Sequence, residues 1–314
     1  MRQYVIRRLL WGLTAVFGVA TLVFLLIRVI PGDVAALALG DDAPPEAIAA
    51  LREELGLNKP IYEQYVSWMV GLAQGDLGLS LRKREPVVQQ LADRWPVTFE
   101  LALISLVVAV AIGLPIGVLA AVKQDKPFDH VVRVLAILGI GIPEFWLGTM
   151  SIVFLALWFH YSPPLGFTEI TVDPLRNIQQ FMLPALVLAT HQLGGIARLS
   201  RATMLEVIRQ DYVRTARAKG LLEGRVIVQH ALKNAMIPVI TILGLQLGRL
   251  LGGTVIIENI FSLPGVGRLT AEAIFQRDYS QLQANILFFA FFFVLLNIFV
   301  DVMYGVMDPR IRFK

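Results

Sequence analysis

Hydrophobic and polar positions alternate in long blocks. Six stretches, roughly 9–29, 98–122, 131–158, 181–197, 236–257 and 284–304, are poor in charge over about the 20 residues that cross a bilayer. Each predicts a membrane-spanning helix, and the fourth is the shortest. The first has the outline of a secretory signal, with Arg7 and Arg8 ahead of it and Ala36-Leu37-Ala38 as a small-residue cleavage site. Its apolar run of about 19 residues exceeds the roughly 7–15 of a signal core, and Arg28, Pro31, Gly32 and Asp33 intervene. It is read as a retained span.

Between the first two spans lies the largest polar block, 30–97. Pro44-Pro45-Glu46 opens a helix that Gly56 closes, because proline fits a first helical turn and glycine a stop. Ile61, Tyr65, Trp68, Met69 and Leu72 recur at spacings of three and four and predict an amphipathic helix. Its apolar stripe has three uses: lying on the membrane, packing on the spans, or receiving a partner. Packing is the expectation.

Composition agrees with the spans. At 56% hydrophobic and 17% charged, the 314 residues are too apolar for a soluble domain and far from disorder. Cysteine is absent, which excludes disulfides, thiolate metal sites and a cysteine nucleophile. The net charge of +4 is read as basic cytoplasmic loops and not as nucleic-acid binding. With both termini in the cytoplasm, 17 of the 28 basic residues fall on that side, against ten outside and Arg249 within span five. The 30–97 block, with ten acidic and six basic residues, then faces outward. The expected divisions are 1–29 (terminus and first span), 30–97 (external helical segment), 98–304 (five-span core with a cytoplasmic loop at 198–233) and 305–314 (cytoplasmic tail).

Catalytic patterns are missing. None of the seven lysines follows a glycine, so no phosphate-cradling loop ends in Gly-Lys-Ser or Gly-Lys-Thr. No histidine opens a His-Glu-x-x-His helix, and Gly78-Leu79-Ser80 lacks the closing glycine of a nucleophile elbow. The chain is not read as an enzyme, and no catalytic, metal or cofactor residues are assigned.

The most specific segment is Asp211-Tyr212-Val213-Arg214-Thr215-Ala216-Arg217-Ala218-Lys219-Gly220. It predicts a helix stopped at Gly220, with Arg217 and Lys219 placed to complement the dipole. Tyr212, Ala216 and Gly220 share one face, small after its first residue, which a second protein could approach closely. A basic helix at a membrane surface is the alternative, since the positive-inside rule alone predicts such charge.

This segment resembles the cytoplasmic loop of membrane subunits of binding-protein-dependent ABC importers. Ala216 and Gly220 match the second alanine and the glycine of the family's Glu-Ala-Ala motif, whereas Arg214 and Thr215 depart from its Glu-Ala. Ile237-Pro238 comes five residues later than the general spacing. The variant, with Asn234-Ala235-Met236-Ile237-Pro238 after it, is similar to the dipeptide and oligopeptide permease branch. Pro31-Gly32-Asp33, Leu55-Gly56-Leu57, Gly75-Asp76-Leu77-Gly78, Leu263-Pro264-Gly265-Val266-Gly267-Arg268, Arg277-Asp278-Tyr279 and Asp308-Pro309-Arg310 recur there in the same order.

The resemblance implies an all-α, polytopic inner-membrane protein of type I importer architecture with six spans. It implies one half of a peptide channel, paired with a second homologous permease subunit. Two cytoplasmic ATPase subunits carrying ATP and magnesium, and an external solute-binding protein, complete the assembly. Residues 211–220 (Val213 aside) are then the ATPase-coupling positions, and rigid-body alternating access is the implied mechanism. Glutathione and nickel-complex importers share the scaffold. A membrane channel or scaffold working without ATPases is the alternative of a different class.

Polar groups inside spans are costly and therefore candidates for the translocation pathway. Glu144 follows Gly139-Ile140-Gly141-Ile142-Pro143, which weakens the helix, and a carboxylate there suits a cationic peptide amino terminus. A hydrogen bond to the broken helix or to a partner subunit is the alternative. His191, Gln192, Gln246 and Arg249 are the further candidates; Asp301 lies near a span end and is read as wet or paired.

Overall fold

The computed structural model describes residues 2–29, 33–40 and 43–307. Pro31-Gly32 and Asp308-Pro309-Arg310, singled out above, lie outside the described residues. Helices run in the order α1 (Arg2–Val29), α2 (Val34–Leu39), α3 (Pro45–Glu54), α4 (Ile61–Ala73), α5 (Val87–Val122), α6 (Pro127–Gly141) and α7 (Glu144–Phe159). They continue with α8 (Pro174–Ile208), α9 (Asp211–Ala218), α10 (Glu223–Arg225), a π-helical turn (Val226–Leu232), α11 (Lys233–Ile260), α12 (Val266–Phe275) and α13 (Tyr279–Met307). The chain is all-α; an isolated bridge between Leu79 and Pro86 is the β pairing found among the described residues.

Among the described residues, four stretches are long and apolar enough to cross a membrane: Ile6–Val29, Val87–Val122, Glu223–Gly244 and Tyr279–Val302. The predicted third span is two helices, α6 and α7, bent by 102° at a short break. Ile142 is extended (φ −80°, ψ 124°) ahead of Pro143, as the proline ring requires of its predecessor, so the helix ends at Gly141 and restarts at Glu144. The predicted fourth span is the middle of α8, whose 35 residues reach about 52 Å. Asn177, Gln180, Gln192 and Ser200 are buried in it. A helix covered by protein need not be apolar all round, which is why α8 reads weakly as a span. Its length makes the structure compatible with six spans.

The chain divides into two compact units. One comprises Arg2–Val97 and Pro264–Leu295. Its core gathers Val87, Leu91, Val266, Leu269 and Ala284, with Trp95 stacked on Phe292 at 4.0 Å between centroids. Here the amphipathic stripe of α4 meets α1: Phe24 contacts the Tyr65 ring at 5.1 Å and the Trp68 ring at 5.5 Å, and the Tyr65 hydroxyl lies 2.7 Å from Thr21 Oγ1. Tyr65 and Trp68 of the stripe thus pack on α1, Met69 and Leu72 are half-buried, and Ile61 is exposed.

The second unit comprises Thr98–Leu263 and the chain from Leu296 onward, with α8 at its centre. Phe181, Ala185, Leu188, Ala189, Ile196 and Ala197 on α8 are buried; α8 packs on α6 and α11, and Ala189 and Ile196 meet Ala109 of α5. Backbone approach is close. A Cβ at Gly194 of α8 would stand 2.6 Å from the Ala136 carbonyl oxygen of α6, and one at Gly117 of α5 would collide with the Ala197 carbonyl. Gly113 and Gly117 form the small-xxx-small spacing that lets membrane helices touch. Away from α8, Val134, Leu135, Ile137 and Leu138 of α6 and Leu157, Trp158 and Phe159 of α7 are exposed, as lipid-facing side chains are.

Candidate functional site

Two parts of the second unit carry the predicted functional residues, and α8 leads from one to the other. Its C-terminal end gives way at Arg209 and Gln210 to α9, which contains the predicted coupling segment. Val213 and Ala216, three apart, are buried with Val226 and packed on Val207 and Leu221. This apolar seam holds α9 on the body of the unit and leaves its other face exposed. Asp211, Arg214, Thr215 and Ala218 lie at i, i+3, i+4 and i+7 on that face.

The face proposed from sequence is therefore divided. Tyr212 is exposed and its hydroxyl accepts from Asn234 Nδ2 at 2.8 Å; Gly220 is exposed; Ala216 turns inward. The short side chain of Ala216 serves close packing within this chain. Gly220 ends the helix at φ +79°, in the left-handed region that glycine enters without a Cβ penalty. Arg217 donates two hydrogen bonds to Glu223, Nε to Oε2 at 3.0 Å and Nη2 to Oε1 at 2.7 Å. That bidentate pair, the largest influence on the guanidinium, raises the Arg217 pKa further above its ordinary value. Lys219 is exposed beside it.

The remaining predicted residues gather in the interior. His191, Gln192 and Gln246 line one cavity of about 510 Å³ between α8 and α11, together with Ile140, Gly195, Arg198, Leu199, Ala202 and Ile242. His191, Gly195, Arg198 and Ala202 make one stripe of α8 at i, i+4, i+7 and i+11. Gln192 is 3% and Gln246 9% exposed, and neither Oε1 atom has a hydrogen-bond partner among the described residues. A Cβ at position 195 would stand 3.0 Å from Gln246 Nε2, so Gly195 leaves room for that carboxamide.

Glu144 is near this cavity and not on its wall. It opens α7 behind Pro143, and its Oε2 lies 3.2 Å from where a Cβ on Gly253 of α11 would stand, a position also beside Leu188 of α8. His191 is its titratable neighbour. Arg249 occupies a position in α11 whose side chain falls outside the described residues. Asp301 lies in α13, half-buried and partnered.

Sequence reasoning did not pick out Arg198, counted only as cytoplasmic charge, although its i+7 spacing from His191 was legible. It also passed over the fully covered Asp129 carboxylate of α6, which accepts from Arg201 Nε at 2.5 Å and Nη2 at 2.7 Å. Among the described residues no cluster of histidine and carboxylate side chains is arranged to hold a metal ion.

Comparison with known proteins bears on both parts. Residues 113–313 match the family described as binding-protein-dependent transport system inner membrane component, and residues 1–102 match its N-terminal companion. The dipeptide transport system permease protein DppB of Escherichia coli K12 is 40% identical over 338 residues, covering all of both chains. DppB of Alkalihalophilus pseudofirmus is 41% identical over 334 residues, again with full coverage of both. Among solved structures, a chain of the MetNI methionine ABC transporter in inward facing conformations superposes with a TM-score of 0.59. It is 18% identical and covers 71% of this chain and 99% of its own, a likeness of fold. From helices, interior cavity and full-length matches together, the chain belongs to the family of inner membrane components of binding-protein-dependent transport systems.

Proposed function

We propose that this subunit forms half of the membrane pathway of an ATP-driven importer of dipeptides or short oligopeptides. A second homologous permease subunit supplies the other half, two cytoplasmic ATPase subunits supply ATP, magnesium and hydrolysis, and an external binding protein delivers the peptide. Both termini and α9 face the cytoplasm in this reading. The observation that carries it is the continuity of α8: one helix lines the polar cavity with His191 and Gln192 and leads directly into the exposed face of α9. A rigid helix joining cavity to surface lets movement at α9 reach the pathway, as alternating access needs.

Residues 211–220 are the coupling segment, with Asp211, Arg214, Thr215 and Ala218 as its outer contacts, Tyr212, Lys219 and Gly220 at its margins, and Val213 and Ala216 as its anchor. Arg217 stiffens the turn through Glu223. Glu144, His191, Gln192, Gln246 and Arg249 belong to the pathway. The test compares ATP hydrolysis by the isolated subunit and by the complete assembly. The isolated subunit hydrolyses no ATP, whereas the assembly does so and is stimulated by loaded binding protein. Hydrolysis by the rigorously isolated subunit, or peptide flux without ATPases, contradicts the reading; the latter outcome marks a channel.

A further inference from the structure

The α8–α11 cavity is polarised along α8. Three arginines lie near its C-terminal end: Arg133, Arg198 and Arg201 share the walls of a second cavity of about 170 Å³ beside the first. Arg201 is committed to Asp129 by two hydrogen bonds, and Arg133 Nε lies 3.7 Å from the same carboxylate. Arg198 is exposed, lines both cavities and makes no ion pair among the described residues. At the other end, Glu144 lies beside Leu188, one helical turn before His191, and accepts no hydrogen bond among the described residues. An unpaired cation thus stands on the wall of a space that holds two buried carboxamide oxygens without partners among the described residues, and an unpaired carboxylate lies beyond its other end.

That arrangement fits one ligand chemistry. A carboxamide offers donors and an acceptor, the complement of a peptide group, and a buried carboxamide oxygen without a partner is costly until something donates to it. A free carboxylate matches the guanidinium fork, and an ammonium matches Glu144. From His191 to Arg198 α8 rises about 10 Å, and an extended peptide of two or three residues spans roughly 7–11 Å. The volume of about 510 Å³ is of the size that holds such a molecule.

Resting on the permease reading, we infer that this cavity is a subsite for a zwitterionic peptide of two or three residues. Arg198 holds the carboxylate, Gln192 and Gln246 bind the peptide group between the termini, and the amino end points toward His191 and Glu144. Arg198 and the two glutamines are then substrate-contact residues.

The test uses the complete importer in proteoliposomes, with radiolabelled dialanine as probe, and reads dialanine imported per ATP hydrolysed. Arg198→Gln lowers that ratio about tenfold, since ATP turnover is triggered by the binding protein while the peptide loses a charge-assisted bond. Arg198→Lys keeps most of it. Gln246→Leu, which retains volume inside the helix, lowers it in the same direction and gives a second reading independent of Arg198. An unchanged ratio in Arg198→Gln and Gln246→Leu overturns the subsite and leaves the permease reading intact. Equal loss in Arg198→Gln and Arg198→Lys also overturns it, because charge is then not what Arg198 supplies. Absence of ATP-dependent uptake by the unaltered assembly contradicts the permease reading itself.

Discussion

The Ser80 hydroxyl donates a 2.5 Å hydrogen bond to Asp278 Oδ2, joining positions 198 residues apart. The carboxylate, 3% exposed, also accepts from the Leu81 amide at 3.1 Å and, at the start of α13, from the Gln281 amide at 3.2 Å. The loop that follows Gly75-Asp76-Leu77-Gly78 and the segment Arg277-Asp278-Tyr279 thus meet at one buried anchor. Removing the acceptor strands several buried donors at once. Asp278→Ala is expected to cost about 2–4 kcal/mol, and Ser80→Ala about 1 kcal/mol. Thermal unfolding of the detergent-purified subunit measures both, and faster tryptic cleavage at Arg82, Lys83 and Arg84 reports the freed loop. Equal melting of the two variants would show that Asp278 anchors nothing beyond Ser80.

The Asp129–Arg201 pair gives the next prediction. Arg201→Ala leaves a covered carboxylate with only the distant Arg133 and the Asp125 amide, and is expected to destabilise by about 2–4 kcal/mol. Replacing both partners, Asp129→Leu with Arg201→Met, removes the stranded charge and recovers most of the loss. Subunit abundance in membranes and thermal melting of all three variants make the comparison. A double variant as unstable as the single one would show that the pair does more than satisfy itself.

Close helix approach is testable at glycine. Gly194→Ala presses a methyl into the Ala136 carbonyl at 2.6 Å and is expected to cost about 1–3 kcal/mol. Gly252→Ala in α11 meets nothing within 4 Å among the described residues, and is expected to be neutral or to gain up to about 1 kcal/mol in helix propensity. Melting temperatures that fail to separate the two would remove the tight α6–α8 contact.

Orientation is open to chemical labelling, because the chain has no native cysteine. Glu63→Cys on exposed α4 is expected to react with a membrane-impermeant thiol reagent in intact cells, and Arg214→Cys on exposed α9 only after permeabilisation. The reverse pattern would invert the topology inferred from basic residues.

Long-period features were legible in the sequence. Apolar runs located α1, α5 and α13, the spacing of Tyr65 and Trp68 located an amphipathic helix, and polar residues inside apolar runs located His191, Gln192 and Gln246, which one cavity brings together. What could not be read depended on partners far along the chain. Gly139 to Pro143 announced a weak helix, but the 102° bend is a tertiary outcome. The inward turn of Ala216 depends on Val226, and the i, i+4, i+8 pattern of Tyr212, Ala216 and Gly220 does not reveal which side finds cover. Ser80 with Asp278 and Asp129 with Arg201 are long-range pairs that no local period encodes.

The proposed function is passage of peptide across the membrane under the drive of ATPases docked at α9. Its most direct measurement is radiolabelled dialanine uptake into proteoliposomes holding the full importer, with ATP on the ATPase side, comparing the unaltered subunit with Arg214→Glu on the outer face of α9. ATP-dependent accumulation is expected of the unaltered assembly, with Arg214→Glu at normal abundance but with weakened ATPase co-purification and uptake at least about tenfold lower. Full uptake and full ATPase retention by Arg214→Glu, or uptake by the unaltered assembly that ignores ATP, would contradict it.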